Sequence, residues 1–165
     1  MSWTQCYIGL GSNLGESQDT LAAALSALAE NDSIQNIEVS SYYQSKPHGP
    51  QDQPDYLNAV AGFESTLAPE PLLDVLQAIE NKYGRVRTGE RWTARTLDLD
   101  ILLFGQQVIN TPRLIVPHAW MTQREFVLYP LYEIAPHLCL PGGQALKDCL
   151  SHVSDENLVR LTPST

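Results

Sequence analysis

An α+β sandwich of ferredoxin-like kind, built on a mainly antiparallel sheet, is the fold class this sequence predicts. Three observations predict it. Four short stretches read as strands, the last of them LDLDILLF at 97–104. Two stretches between them carry leucines at helical spacing, and a helical third follows. The resulting order, β-α-β-β-α-β, suits helices packed on one sheet. A length of 165 residues fits one well-filled core, so residues 1–165 are expected to form a single domain.

Cys6 to Leu10 opens the chain as a short apolar strand running into Gly11-Ser12-Asn13-Leu14-Gly15. That turn matches neither GxxxxGK[ST] nor GxGxxG, so it is a strand-to-helix bend and not a phosphate loop. Leu21, Leu25 and Leu28 mark one face of a helix reaching about Glu30, capped by Ser17 or Asp19. Ile37, Val39, Ser41 and Tyr43 alternate with polar residues as the second strand. Lys46 to Asp55 holds Pro47, Gly49, Pro50 and Pro54, which no ladder accommodates, and is read as a surface loop. Tyr56 to Ser65 is the third strand, with Tyr56 and Asn58 on one face.

Pro69-Glu70-Pro71 starts the second helix, which turns Leu72, Leu76, Ile79 and Tyr83 inward and stops at Gly84. Gln77 and Glu80, at i and i+3 near its end, read as solvated surface, while their nearness to the following arginines admits a nucleotide role. In LDLDILLF, Leu97, Leu99, Ile101 and Leu103 are expected to face a core, with Asp98 and Asp100 sharing the other face. Gly105-Gln106 then turns into Gln107-Val108-Ile109 as a hairpin. Arg113 and His118 flank an apolar Leu-Ile-Val-Pro segment. A helix begins at Arg124 and Phe126, is interrupted or restarted at Pro130, and ends near Ala135-Pro136. Pro141-Gly142-Gly143 is a turn, Ala145 to Val153 a last helix, and Asn157 to Leu161 an edge strand.

The formal charge of −9 disfavours general nucleic-acid binding. Yet six of the ten basic residues lie between Arg85 and Arg124, a concentration that suits a small anionic ligand. No apolar run is long enough to span a bilayer, and the N-terminus lacks a signal-peptide pattern. Cys6, Cys139 and Cys149 are odd in number without metal-binding spacing, which fits reduced thiols in a cytoplasm. The surface composition carries no oligomer signal, so a monomer is the expectation.

The chemistry concentrates in RVRTGERWTARTLDLDILLF, residues 85–104. Asp98 and Asp100 stand about 7 Å apart along a strand, where they repel unless a cation lies between them. Hard oxygen ligands suit Mg²⁺, which takes one or two protein carboxylates and fills its shell with water and phosphate oxygens. Arg85, Arg87, Arg91 and Arg95 supply forked donors for phosphate. Taken apart, these features read equally as a solvated arginine surface and a polar strand face. Their adjacency points to a metal-bound polyphosphate.

RWTARTLDLDILLF, with GPQDQPDYLNAV at 49–60 and VPH at 116–118, resembles the signature of the 6-hydroxymethyl-7,8-dihydropterin pyrophosphokinases of folate biosynthesis. The resemblance runs from about Tyr7 to Pro136. It implies three layers, with helices on both sides of the sheet. It also implies transfer of pyrophosphate from ATP to the hydroxymethyl group of the reduced pterin, giving AMP. Asp98 and Asp100 would hold two Mg²⁺ ions, and Arg85 and Arg95 would act in catalysis. Gln77, Glu80, Arg87, Arg91, Arg95, Arg113, His118 and Arg124 would contact ATP. The pterin would lie between Tyr56 and Phe126, read by Asn58, with Ser45 and the backbone around His48 helping and Trp92 closing over it. The loops 46–55 and 85–94 would close over the substrates.

The sequence departs from the family's pattern at Thr93-Ala94, where Gly-Pro is common, and at Lys46, His48 and Ala119. The chain ends shortly after the family-like region, so no fused second folate enzyme is expected. Two other readings compete: a non-catalytic ferredoxin-like module binding a nucleotide or pterin, and an arginine-mediated adaptor for an acidic partner or RNA. The Asp pair argues against both, since neither needs a metal.

Overall fold

Alternating apolar residues in β1 (Thr4–Ser12) give it one fully buried face, and both of its edges are paired. It therefore lies inside the sheet. In this computed structural model the described residues are 3–12, 17–45, 56–83, 85–88, 91–95, 97–118, 121, 124–154 and 158–160. β2 (Ile34–Val39), β3 (Tyr43–Ser45), β4 (Tyr56–Ser65), β7 (Asp98–Phe104) and β10 (Leu158–Arg160) complete a six-stranded sheet among them. The order is β10-β3-β4-β1-β7, with β2 alongside β3 on the same edge of β4, and every pairing is antiparallel. Counting β2 and β3 as one broken strand, the main strands run second, third, first, fourth. This is the split β-α-β order of the ferredoxin-like fold.

Two cores lie on opposite faces of the sheet. On one, α1 (Ser17–Ala29) and α2 (Pro69–Tyr83) contribute Leu21, Leu28, Leu72, Leu76 and Ile79, packed on Ile8, Phe63 and Leu99. On the other, α3 (Glu125–Ile134) and α4 (Leu146–Leu150) set Val127, Leu128, Leu131 and Leu146 against Val60 and Leu102. The three-layer arrangement is as expected. No helix among the described residues is long and apolar enough to cross a membrane.

Local details differ from the sequence reading. Asn36 adopts a φ of 55°, the register against β4 shifts between Gln35 and Glu38, and the second strand breaks in two. Val39 consequently faces solvent while Ser40 is buried. Leu103 does not share a face with Ile101. The β1–β7 register shifts between Tyr7 and Ile8, an extra residue enters β7 at Leu102, and Leu103 turns into the second core.

The arginine stretch is a hairpin, β5 (Arg85–Thr88) with β6 (Arg91–Arg95). Ile109 does not fold back on β7. β8 (Ile109–Asn110) pairs instead with β9 (Ile115–Val116) across a turn in which Thr111 and Leu114 exchange backbone hydrogen bonds. Ser17 and Asp19 both lie inside α1, where Asp19 complements the helix N-terminus from the first turn. α3 runs through Pro130, which is buried in the second core, and α4 is shorter than expected.

A carboxylate fastens α3 to the sheet. Glu133 accepts hydrogen bonds from the Ser41 N–H (2.8 Å), the Ser41 hydroxyl (2.9 Å) and the Tyr43 hydroxyl (2.6 Å). Arg160 lies 3.5 Å away. Burial alone would raise its pKa, but the bonds from Tyr43 and Ser41 and the charge of Arg160 outweigh it and hold the carboxyl below its ordinary value. A folded pKa below the unfolded one stabilises fully above the unfolded value and is lost as pH falls through the folded one. Glu133→Gln is therefore expected to lower stability at pH 7 by on the order of 1–2 kcal/mol. The deficit relative to the parent should shrink as the pH falls below about 4. Chemical denaturation across pH checks this, and a deficit that grows in acid contradicts it.

Candidate active site

Residues directly opposite on neighbouring strands share a face, so the register aligns side chains across the sheet. One row runs Tyr43, Asn58, Gly11, Asp98 from β3 through β4 and β1 to β7. The next runs Val60, Gly9, Asp100. All lie on the side covered by α3, as Val60 and the Tyr43–Glu133 bond show. Asn58 is 5% exposed, whereas Asp100 is open to solvent. Between Asn58 and the aspartates the sheet has no side chains. A Cβ on Gly11 would stand 3.2 Å from Asn58 Oδ1, so an alanine there would press on the amide.

Tyr56 and Ser45 are register partners two residues further along β4 and β3. Phe126, near the start of α3, packs at the margin of the second core. The Arg124 guanidinium lies 5.6 Å from its ring centroid. The fold thus gathers Asn58, Phe126, Arg124 and the two aspartates on one side of the sheet. Arg85 pairs with Arg95 in the hairpin register, and Arg87 with Trp92, next to Arg91. His48, in the 46–55 segment, lies outside the described residues.

A cleft of about 430 Å³ opens at the edge of β7. Gln77, Glu80, Asp100, Arg113 and His118 all line it, together with apolar Leu73, Leu99, Ile101 and Leu114. Five expected site residues therefore meet at one cavity, whose wall mixes polar and charged side chains with apolar ones. His118 Nε2 stands 4.0 Å from Asp100 Oδ2, and the His118 N–H is bound by the Leu102 carbonyl. Arg113 reaches back to α2, donating to Asp74 (2.5 Å), Glu70 (3.4 Å) and Gln77 (3.4 Å). The hydrogen bond to Asp74 leads the causes that raise its pKa.

Glu80 is not the solvated residue its spacing suggested. It is 6% exposed, and its carboxylate accepts the Leu99 N–H at 2.7 Å. The sequence did hold a signal for this. Glu80 stands four residues after Leu76 and eight after Leu72, on the buried stripe of α2.

Comparison with known proteins shows the family. A family model described as 7,8-dihydro-6-hydroxymethylpterin-pyrophosphokinase (HPPK) matches residues 7–136. The chain belongs to this family. A relative from Haemophilus influenzae named 2-amino-4-hydroxy-6-hydroxymethyldihydropteridine pyrophosphokinase is 50% identical over 157 residues, covering 95% of this chain and 98% of its own. A Pseudomonas aeruginosa relative of the same name is 50% identical over 155 residues, covering 94% and 95%. Among solved structures, Plasmodium falciparum HPPK-DHPS, wild type with pteroate, superposes with a TM-score of 0.72 at 12% identity. That match covers 96% of this chain and 48% of the other, so the chain spans about half the length of the fused protein. At that identity the likeness shows the fold. Within the HPPK family match lie the sheet rows, the β5–β6 hairpin and the cleft, whereas α4 and β10 follow it.

Proposed function

We propose that Asp98 and Asp100 are the metal-binding pair of a pyrophosphokinase that transfers pyrophosphate from ATP to the hydroxymethyl group of 6-hydroxymethyl-7,8-dihydropterin. The activity follows from membership of the HPPK family and from full-length relatives that carry that name. One observation supports this use of the site above the others. Asp100 lines the cleft that holds the expected ATP residues, and Asp98, on the same strand face, shares a row with Asn58 of the expected pterin side. A phosphoryl group reaching from one to the other passes over the aspartates.

The residues present fit Mg²⁺. Two carboxylates share one face and Asp100 is open to solvent, so water and phosphate oxygens have access to complete an octahedral shell. Bound there, Mg²⁺ supplies charge neutralisation and polarisation of the phosphoryl oxygens, and our reading carries two ions.

The protein's own part is alignment and exclusion of water. Asn58 presents its buried amide to the edge of the heterocycle, and the Phe126 ring stacks on its face with Tyr56 opposite. Arg113 and His118 contact the nucleotide from the far wall of the cleft, with Gln77 beneath. The β5–β6 hairpin brings Arg85, Arg87, Arg91, Arg95 and Trp92 over the polyphosphate and pterin, and Arg124 adds a further donor. The family resemblance assigns residues 46–55, with His48, to the pterin side. A single domain acting as a cytoplasmic monomer completes the reading.

Incubation with Mg²⁺, ATP and hydroxymethyldihydropterin tests the function through the nucleotide formed. AMP is expected. ADP would mean a single-phosphoryl kinase, and no turnover would leave the non-catalytic binding module. Phe126→Ala is expected to raise the pterin KM roughly fivefold, from about 1 kcal/mol of lost stacking, with little change in the KM for ATP. Equal effects on both KM values would place Phe126 elsewhere.

A further inference from the structure

We propose that Glu80 is a positioning residue for the two aspartates, acting through the backbone N–H of Leu99 and not by contact with the nucleotide. The proposal rests on the reading of Asp98 and Asp100 as the metal pair. Three observations carry it: the burial of Glu80, its bond to the peptide between the two aspartates, and the edge position of β7.

Among the described residues β7 ends the sheet order, with β1 on its inner edge. The outward N–H groups of an edge strand have no ladder to hold them, and such a strand twists and frays readily. Both expected metal ligands stand on this strand, so their spacing depends on a backbone that the sheet steadies from one side. The Leu99 N–H is met by Glu80 at 2.7 Å. Leu99 lies between Asp98 and Asp100, and its own side chain is sunk in the first core. Fixing its amide limits ψ of Asp98 and φ of Leu99. Those angles set the directions of the two carboxylates relative to each other.

The position of Glu80 needs such an explanation. Leu72, Leu76 and Ile79 form the buried stripe of α2, and an apolar residue at 80 would continue it at lower cost. A carboxylate at 6% exposure is costly to bury unless charge-assisted hydrogen bonds repay it. Glu80 also lines the cleft beside Asp100, so it adds negative charge near the cation site. Geometry and charge are separable. Gln keeps the acceptor oxygen without the charge, whereas Met matches the length and suits the buried stripe without an acceptor.

The test compares Glu80→Gln and Glu80→Met in the full chain. One readout is hydrogen exchange of the Leu99 amide by NMR. The other is Mn²⁺ binding with a non-hydrolysable ATP analogue, followed by electron paramagnetic resonance. Glu80→Met is expected to speed Leu99 exchange at least tenfold, with amides at the centre of β4 unchanged. It should also weaken Mn²⁺ in the ternary complex by about 10- to 100-fold, the range for loss of a ligand-orienting group. Glu80→Gln should stay near the parent in both. Binding of the analogue without metal should not change in either variant.

Unchanged Leu99 exchange in Glu80→Met, or Glu80→Gln as damaging as Glu80→Met, overturns the proposal. So does an equal loss of analogue affinity without metal, which would make Glu80 a nucleotide contact. Failure of the underlying reading is recognised separately, by Asp98→Asn and Asp100→Asn variants that keep parental Mn²⁺ affinity.

Discussion

Asp98→Asn and Asp100→Asn are each expected to lower kcat by about three orders of magnitude, as removal of about 4 kcal/mol of transition-state stabilisation requires. Asparagine keeps the size and one oxygen but loses the charge that a divalent cation needs. The aspartates alternate with the buried Leu99 and Ile101, so their side chains leave the sheet and support no core. Asp100 is 50% exposed, and His118 Nε2 at 4.0 Å is too far for a hydrogen bond. Thermal melting should therefore move by less than a few degrees while turnover collapses. Relief of repulsion between the two acids offsets part of any lost contact. Quenched-flow measurement of AMP formation at saturating Mg²⁺ checks the loss. Activity within tenfold of the parent in either variant would remove the metal assignment, and with it the shared role of the cleft and the row.

Phe63→Ala should do the reverse, costing stability and sparing chemistry. Phe63 is fully buried, opposite Cys6 in register, on the one strand that pairs with β1, β2 and β3 alike. It faces α1 and α2 in the first core. Truncation leaves a cavity there and is expected to cost about 4 kcal/mol. For a domain of this size that lowers Tm by roughly 10 °C. Tyr56 and Asn58 stand at the opposite end of β4, so KM values measured well below the transition should stay near those of the parent. Urea denaturation gives the cost directly, and a loss below about 1 kcal/mol would show that the core closes around the gap.

The aspartate pair was legible because a strand repeats every two residues. Leucines alternating with acids fix both the element and the shared face before any partner strand is known. That legibility stopped at Leu102, since a bulge depends on the strand opposite, and the sequence of β7 alone does not reveal the extra residue in its register. The break between β2 and β3 was hidden for a related reason. Ile37 to Tyr43 alternates cleanly, and only the left-handed backbone at Asn36 and its shifted pairing with β4 undo the pattern. Glu80 was misread because charge outweighed position: its place on the apolar stripe of α2 was visible, but a lone acid near a helix end suggests water. Glu133 drew no notice at all, since the residues that donate hydrogen bonds to it, Ser41 and Tyr43, are 90 residues or more away along the chain.

The short strand β10 lies beyond the part of the chain matched by the family model, yet it pairs with β3, and Arg160 donates to the Ser41 hydroxyl. Removing residues 158–165 would bare the backbone donors and acceptors of Tyr43–Ser45 to any other extended peptide. Shortened versions made for crystallisation should therefore tend to stick to one another along that margin, and a purification handle is better carried at the opposite terminus.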